Sequence, residues 1–553
     1  MKYASAPSTR ERWLYMGLAA FLGCLWLASL GLRPLFNPDE GRYAEIPREM
    51  LAGGDWVIPH LNGLAYAEKP PLQYWATALS YRLFGINEFA ARLYCALCAL
   101  GTIALVWLIA RREGGEQAAW RAAAVLSGML VFGVLGHLLT LDMSLTFYLT
   151  LSLAGFLFAQ PAAGEAASSA ASRRWMLVAW AAAALGVMTK GIIAAAIPAA
   201  VLILYSLWTR DFAAWRRLRP CSGLPLFLVI AGPWHWLAAR RDGDFLQFYF
   251  VHEHVARYLT PVAQRVEPWW FFLAVFVAGS VPWTLSALRV VAVGWRRTAA
   301  TGFEARLFLW IWVVFVVVFF SMSDSKLMPY ILPIMPALAV AVALLPPDVF
   351  KSDCQVTAVF TLIVGLGLGV ASLHWPQVLS SSDRAVYFLP LAKPAAKIAA
   401  LLSVSGVFVL LQAGRDPTRA GVFLGAGWCL AWAWLGVEAA AVAPVYSGVE
   451  LAQAIPAASR QAPIYSVATY DQTLEFYLQR SVTLVRFRGE LDYGLNKNPS
   501  ANIADLQEFE RRWSADSQAF AVMEPSMFKK LHGDGVPMRV IGQSAGRLLA
   551  SRQ

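Results

Sequence analysis

The chain has 553 residues, of which 58% are hydrophobic and only 15% charged, with a formal net charge of +11. Soluble domains carry about 25% charged residues, so a soluble protein is excluded and a polytopic α-helical membrane protein is expected. Where the positive charge lies matters more than its sum, because Lys and Arg in short loops set membrane orientation.

A polar, basic start, MKYASAPSTRER, precedes an apolar run from Trp13 to Leu32. That run is long enough to span a bilayer and longer than a signal-peptide core, so an uncleaved first helix with a cytoplasmic N-terminus is expected. Further apolar stretches lie near 88–110, 117–138, 140–159, 174–189, 191–208, 221–239, 269–291, 305–322, 328–346, 355–374, 394–413 and 420–441. At ~20 residues per crossing this makes about 13 transmembrane helices. Loops assigned to the cytoplasm carry Arg111-Arg112, Arg173-Arg174, the run Arg210 to Arg219, Arg296-Arg297, Lys351 and Arg415/Arg419, as the positive-inside rule requires. An odd number of crossings puts the C-terminus on the far side. The far-side loops are then Asn37–Glu88, His137–Asp142, Thr189–Gly191, Arg240–Pro268, Ser321–Lys326 and His374–Arg384.

Two of these loops hold amphipathic patterns suited to the membrane interface. In the first, Tyr43, Ile46, Met50 and Leu51 recur at helical spacing; the second reads FLQFYFVHEHVARYL. From about Val445 the composition changes. APIYSVATY, SVTLVRF and AFAVMEP read as strands, with helices in QTLEFYLQR, DLQEFERRWS and SMFKKL. The expected division is therefore a membrane domain over 1–443, with loops 37–87 and 240–268 carrying the chemistry, and a soluble α/β domain over 444–553. The six cysteines lie mostly in apolar segments and indicate no disulfide framework. Cys95 and Cys98, a CxxC within a membrane helix, read as small buried hydrophobes. Gly421 and Gly425 form a GxxxG of the kind that packs helices.

Charges beside a bilayer are costly unless they pair or serve a site, which singles out the stretch NPDEGRYAEIPREMLAGGDWVIPHLNGLAYAEKPP. Asp39 follows Pro38 at a helix start, where a carboxylate either caps free N–H groups or belongs to a site. Glu40 beside it is expected to hold the helix or an arginine. Asp142, at the outer end of an apolar helix, either pairs with a buried base or joins Asp39 in a pocket. The far side is rich in cations, with Arg42, Lys69, Arg82, Lys190, Arg257, Arg265 and Lys326. These suit an anionic ligand such as phosphate; for Arg82 and Arg265, snorkelling to lipid headgroups is an adequate account. Tyr66 and Tyr330 lie near Lys69 and Lys326 and supply hydroxyl donors. Glu68, His252 and His254 have the ligand types of a zinc site, so a divalent metal is a candidate cofactor.

The first-loop stretch closely resembles the first periplasmic loop of the bacterial 4-amino-4-deoxy-L-arabinose lipid A transferases. These belong, with the protein O-mannosyltransferases, to the GT-C superfamily of polyprenyl-phosphate-dependent glycosyltransferases. SKLMPYILP is similar to a later segment of the same family. The resemblance implies an undecaprenyl phosphate-linked aminoarabinose donor, a lipid A phosphate acceptor, the bacterial inner membrane with a periplasmic active site, and resistance to polymyxin-like cationic peptides. It puts Asp39 on the superfamily's essential first-loop acid and Lys69 on a residue that meets the donor phosphate. Gly41 and Pro47 depart from what relatives often carry. The expected partners are the donor, lipid A and membrane lipids, with no nucleic acid, and a monomer is expected. The rival readings are another transferase of the superfamily, such as a protein O-mannosyltransferase, and a lipid transporter. A transporter would tend to show internal repeats and helices broken at the midplane, which the sequence lacks.

Overall fold

The computed structural model describes residues 7–161, 169–260, 265–297, 303–375 and 385–552. The expected far-side loop at 374–384 lies mostly outside them, as do 261–264 of the second candidate loop. A helix underlies each of the thirteen apolar stretches. Seven described helices are long and apolar enough to cross a membrane: Thr9–Ser29, Glu88–Gly128, Leu141–Ala159, Pro220–Arg241, Pro347–Leu373, Leu389–Ala413 and Pro417–Tyr446. Four more apolar helices are shorter, Ile193–Thr209, Thr284–Val293, Ala305–Ser321 and Met328–Ala343. Glu88–Gly128 is two expected segments run together across a break at Gly115, whose φ of 79° falls in the left-handed region that glycine occupies without strain.

The chain forms two compact units. One, mainly helical, comprises Met1–Ser29, Tyr94–Leu373 and Lys393–Gly436; the other comprises Leu30–Leu93, His374–Ala392 and Val437–Gln553. The first long loop thus belongs to the same unit as the C-terminal region. In the helical unit, small residues let helices approach closely. A methyl group at Gly425 would strike the backbone of Ala124, and one at Gly421 the ring of Phe350, so the GxxxG packs helices as expected. Cys95 and Cys98 are buried, and the Cys95 thiol donates to the Thr140 carbonyl at 3.3 Å.

In the second unit a short hairpin, β1 (His60–Leu61) with β2 (Leu64–Ala65), follows the helix Asp39–Gly53. The C-terminal sheet comprises β3 (Ile464–Val467), β4 (Thr483–Val485), β5 (Asn502–Ile503), β6 (Phe520–Met523), β7 (Arg539–Ser544) and β8 (Arg547–Ser551), in the order β5-β4-β3-β6-β8-β7. The pairs β3–β4, β3–β6 and β4–β5 are parallel, and β6–β8 and β7–β8 antiparallel. All three expected strands and all three expected helices are present. The added hairpin β7–β8 has a register shift between Val540 and Gly542, which breaks the alternation that would announce a strand. Tyr465, Val485, Phe509, Trp513, Met523 and Leu531 are among the residues of the core beneath this sheet.

The first-loop helix, Asp39–Gly53, corrects one expectation. An interfacial helix would bury one stripe, yet here Glu40, Arg42, Glu45 and Arg48 are buried along with Tyr43, Ile46 and Met50. The helix is enclosed within its unit, packed on Gln472–Leu478. Gly41 gains a physical reason from this contact: a methyl group there would lie 2.5 Å from the backbone of Gln472 and Thr473.

Candidate active site

Glu40 and Asp39 are neighbours with different surroundings. Arg33 grips Glu40 with Nη1 to Oε2 at 2.6 Å and Nη2 to Oε1 at 3.0 Å. Arg92 adds Nε to Oε1 at 2.8 Å and Nη2 to Oε2 at 3.0 Å, and the Phe36 amide donates at 3.0 Å. Burial acts to raise the Glu40 pKa, but the two guanidiniums outweigh it and hold the carboxyl well below the usual range. This arrangement pins Leu30–Pro34 to the helix start, because Arg92 also donates to the carbonyls of Leu30, Arg33 and Pro34. Sequence reasoning named the carboxylate and its type of partner but neither arginine.

Asp39 does not cap its helix: the N-terminus, at Pro38, has no side-chain cap. Its half-exposed carboxylate meets Arg42 with Nη1 to Oδ1 at 3.4 Å. Arg42 forms its close ion pair with Glu490 of the C-terminal region, and its Nε is buried without a hydrogen-bond partner. The hydroxyls of Tyr66 and Tyr74 are likewise buried and unpartnered. Burial raises both phenols, with Arg42 pulling the other way in each case. It also raises Glu490 against the same arginine. Three buried, unsatisfied donors at one guanidinium, bordered by Asp39 and Glu490, form a polar cluster with spare hydrogen-bonding capacity. Glu490 and Tyr74 were not singled out by sequence. Glu490 lies 448 positions from Arg42 in a different expected domain, and only the fold joins them. Lys69 donates to the Glu68 carbonyl at 2.9 Å.

The helical unit carries a second constellation. Asp142, in the first turn of Leu141–Ala159, accepts from Lys190 Nζ at 2.5 Å. Lys190 ends the helix Ser169–Lys190 and lies 5.0 Å from the Tyr330 ring centroid, a cation–π distance. Gly191 follows with φ 94°, and a methyl group there would strike His254 and the Tyr249 hydroxyl. The second loop, wound as a π-helix over Gln247–Ala256, therefore packs against the Lys190–Gly191 turn. Arg257 pairs with Glu253 at 2.7 Å, and the buried Lys326 donates to the Ser323 carbonyl at 2.6 Å. Asp142 thus pairs with a base, one of the two readings open from sequence, and the base belongs to the candidate set.

The histidines do not present a chelating pair. Residues two apart on a helix point to different faces. His252 stacks on Phe248, whereas His254 stacks on Phe250 and bonds the Tyr249 carbonyl through Nδ1 at 2.6 Å. Among the described residues, the metal-type side chains that converge are Glu45, Glu49 and Glu475, one oxygen from each within 4.8 Å of the others. Arg48 forks onto Glu45 at 2.7 and 2.5 Å, and Tyr470 donates to Glu475 at 2.5 Å. Burial raises all three carboxyls, Glu45 to about 8 against the pull of Arg48. The fork favours the ionised form of Glu45, so the retained protons belong to the group rather than to one member.

Comparison with known proteins gives a consistent result. Residues 451–552 match the family model described as aminoarabinose transferase C-terminal domain, and residues 12–249 that of dolichyl-phosphate-mannose-protein mannosyltransferase. The chain is 31% identical to the undecaprenyl phosphate-alpha-4-amino-4-deoxy-L-arabinose arabinosyl transferase of Pseudomonas aeruginosa, over 91% of each chain. It is 33% identical to a transferase of the same name from Pseudomonas fluorescens, over 74% of this chain and 67% of the relative. Its structure resembles the crystal structure of ArnT from Cupriavidus metallidurans bound to undecaprenyl phosphate, with a TM-score of 0.89, 32% identity and 99% of both chains covered.

Proposed function

The chain belongs to the family of undecaprenyl phosphate-alpha-4-amino-4-deoxy-L-arabinose arabinosyl transferases, and from that membership we propose that it moves aminoarabinose from undecaprenyl phosphate to a phosphate of lipid A. It is a polyprenyl-phosphate-dependent glycosyltransferase of GT-C fold and a multi-pass membrane protein. We place it in the bacterial inner membrane with about 13 crossings, its N-terminus cytoplasmic, and its active site and residues 444–553 periplasmic. The modification would lower the negative charge of lipid A and confer resistance to cationic peptides.

In the reaction, the bond between the anomeric carbon and the undecaprenyl phosphate oxygen breaks. A lipid A phosphate oxygen bonds to that carbon, and undecaprenyl phosphate departs. The transition state is oxocarbenium-like, and the leaving phosphate gains charge that fixed cations stabilise where water is excluded. By their charge we assign Lys69, Arg257 and Lys326 to the donor phosphate; Lys190, held by Asp142 and Tyr330, is of the same kind. A hydroxyl acceptor needs a general base, but a phosphate monoester is ionised near neutral pH, its second pKa being about 6. Asp39 therefore serves to position groups, with Arg42, rather than to remove a proton. The observation that carries this reading is the unsatisfied polar cluster at Arg42. Its unsatisfied donors suit sugar hydroxyls, and its carboxylates suit a sugar ammonium. A divalent metal remains compatible with the donor types of Glu68, His252 and His254 only if both rings turn from their present contacts.

The test is to incubate the purified protein with undecaprenyl-phospho-aminoarabinose and lipid A and to weigh the lipid A by mass spectrometry. A pentosamine adduct that disappears with Asp39→Ala and Lys69→Ala supports reaction and site together. Transfer to a peptide or another glycan instead would discard the acceptor and leave the fold class standing.

A further inference from the structure

The helical unit has an apolar cavity unconnected with any residue assigned above. Its volume is about 200 Å³, and it is lined by Phe156, Trp180, Leu202, Trp215, Leu218 and Phe227 among others. Its polar atoms are already engaged. Trp180 Nε1 donates to the Leu218 carbonyl at 2.8 Å, Trp215 Nε1 to Ser206 Oγ at 2.7 Å, and Ser152 Oγ to the Ala179 carbonyl at 3.0 Å. With no unmet donor or acceptor, the cavity rewards only an apolar occupant. Ile203 and Trp215, 43% and 37% exposed, mark its open edge. Along the helix that carries Met176 and Ala183, both lining residues, it extends about 10 Å.

The charge at one end identifies the occupant. Trp215 and Leu218 line the cavity, and the residues beside them in the chain are Arg216, Arg217 and Arg219. Arg173 and Arg174 lie within one helical turn of Met176, and Arg210 begins the connecting loop. All but Arg217 are exposed. The single acid of the run 210–219, Asp211, directs its carboxylate to the Ala213 amide. An apolar slot about 10 Å long, with arginines next in the chain to its lining residues at one end, matches part of an acyl chain below an anionic headgroup. We propose that this cavity is a binding site for an anionic phospholipid, its chain among Trp180, Leu202 and Phe227 and its phosphate on the arginines flanking Trp215 and Leu218.

The test uses the full-length protein in detergent, titrated with dioleoyl phosphatidylglycerol or dioleoyl phosphatidylcholine and read by native mass spectrometry. The expected result is preferential retention of phosphatidylglycerol. The preference should fall about fivefold for each arginine neutralised in Arg216→Gln and Arg219→Gln. Ala183→Phe, which fills the cavity, abolishes retention of both lipids, while the arginine variants leave the cavity intact and keep the test valid if Ala183→Phe misfolds. A phosphatidylglycerol bearing a photoreactive acyl chain should label peptides spanning 176–183, 195–203 and 215–227. Equal retention of the two lipids, or labelling confined to other helices, would overturn the proposal. Displacement by undecaprenyl phosphate with no effect of the arginine variants would assign the cavity to a polyprenyl tail instead.

Discussion

Around Glu40, two guanidiniums and a backbone amide saturate a buried carboxylate, and the arginines spend their remaining donors on carbonyls. Around Arg42, on the same helix, a guanidinium nitrogen and two phenols are buried with nothing to bond. Both regions are rich in charge and closely packed, so burial and charge alone do not separate them. What separates them is leftover hydrogen-bonding capacity. A saturated cluster is complete without a ligand and fixes the backbone; an unsaturated one carries a desolvation cost that a ligand can relieve.

Substitution at the two adjacent acids should divide accordingly. Asp39→Asn should leave expression and thermal unfolding unchanged while transfer falls about 10²–10³-fold, the range for losing one preorganised polar contact to the transition state. Near-normal turnover in that variant would defeat the assignment of Asp39 to the site. Glu40→Gln should do the reverse. It leaves Arg33 and Arg92 buried without a counter-charge, at a cost of about 3–5 kcal/mol, so the melting temperature drops sharply while the folded fraction keeps its activity. If Glu40→Gln melts like the parent, the saturated cluster is not the scaffold of this helix start.

Much of this division is legible in the sequence, and the limits are instructive. Ionisable residues in an apolar chain stand out by cost alone, so the residue types and their surroundings suffice to mark Asp39, Asp142, Lys190 and Lys326. The α/β character of the C-terminal region follows from hydrophobic runs such as AFAVM between turn residues. Pairings across long sequence separations are not legible. Glu490 with Arg42 and Glu475 with Glu45 depend on packing of the first-loop helix against Gln472–Leu478, and no local periodicity encodes that. For the same reason the helix reads as interfacial. Its apolar stripe is visible, but not the carboxylates and hydroxyls waiting to receive its polar face. HxH misleads in another way, since spacing in sequence says nothing of ring direction.

The tyrosines allow a finer version of the same comparison. Tyr66 has an unpartnered hydroxyl, whereas Tyr81 donates its own to the Ala44 carbonyl at 3.0 Å. Tyr66→Phe removes a buried group that gains nothing in the free protein, so stability should hold or rise by about 1 kcal/mol while transfer falls roughly tenfold. Tyr81→Phe should cost about 1 kcal/mol of stability and leave transfer untouched. Matching losses of activity in the two variants would mean that packing, not hydrogen-bonding capacity, governs the cluster at Arg42.

The remaining contrast concerns pH. Burial raises Glu45, Glu49 and Glu475 above the ordinary carboxyl value of 4.5, Glu45 to about 8. Facing them are Arg48, the Tyr470 hydroxyl, and the amides of Gly63 and Val482, with His60 and Tyr81 nearby. A carboxyl with a raised folded-state pKa binds its proton more tightly folded than unfolded. Its contribution is thus complete below about 4.5 and is lost as pH rises toward 8. Stability should decline across that window by up to about 1.4 kcal/mol per pH unit for each proton the group retains. Glu475→Gln removes one carboxyl from the group and leaves a neutral amide of similar shape, so it should flatten the decline and leave stability at acid pH nearly as it was. Thermal melts of the two proteins at pH 5, 6.5 and 8 in one detergent decide the matter. Parallel curves would mean that the group is already ionised when folded, with Arg48 and the backbone amides compensating all three charges.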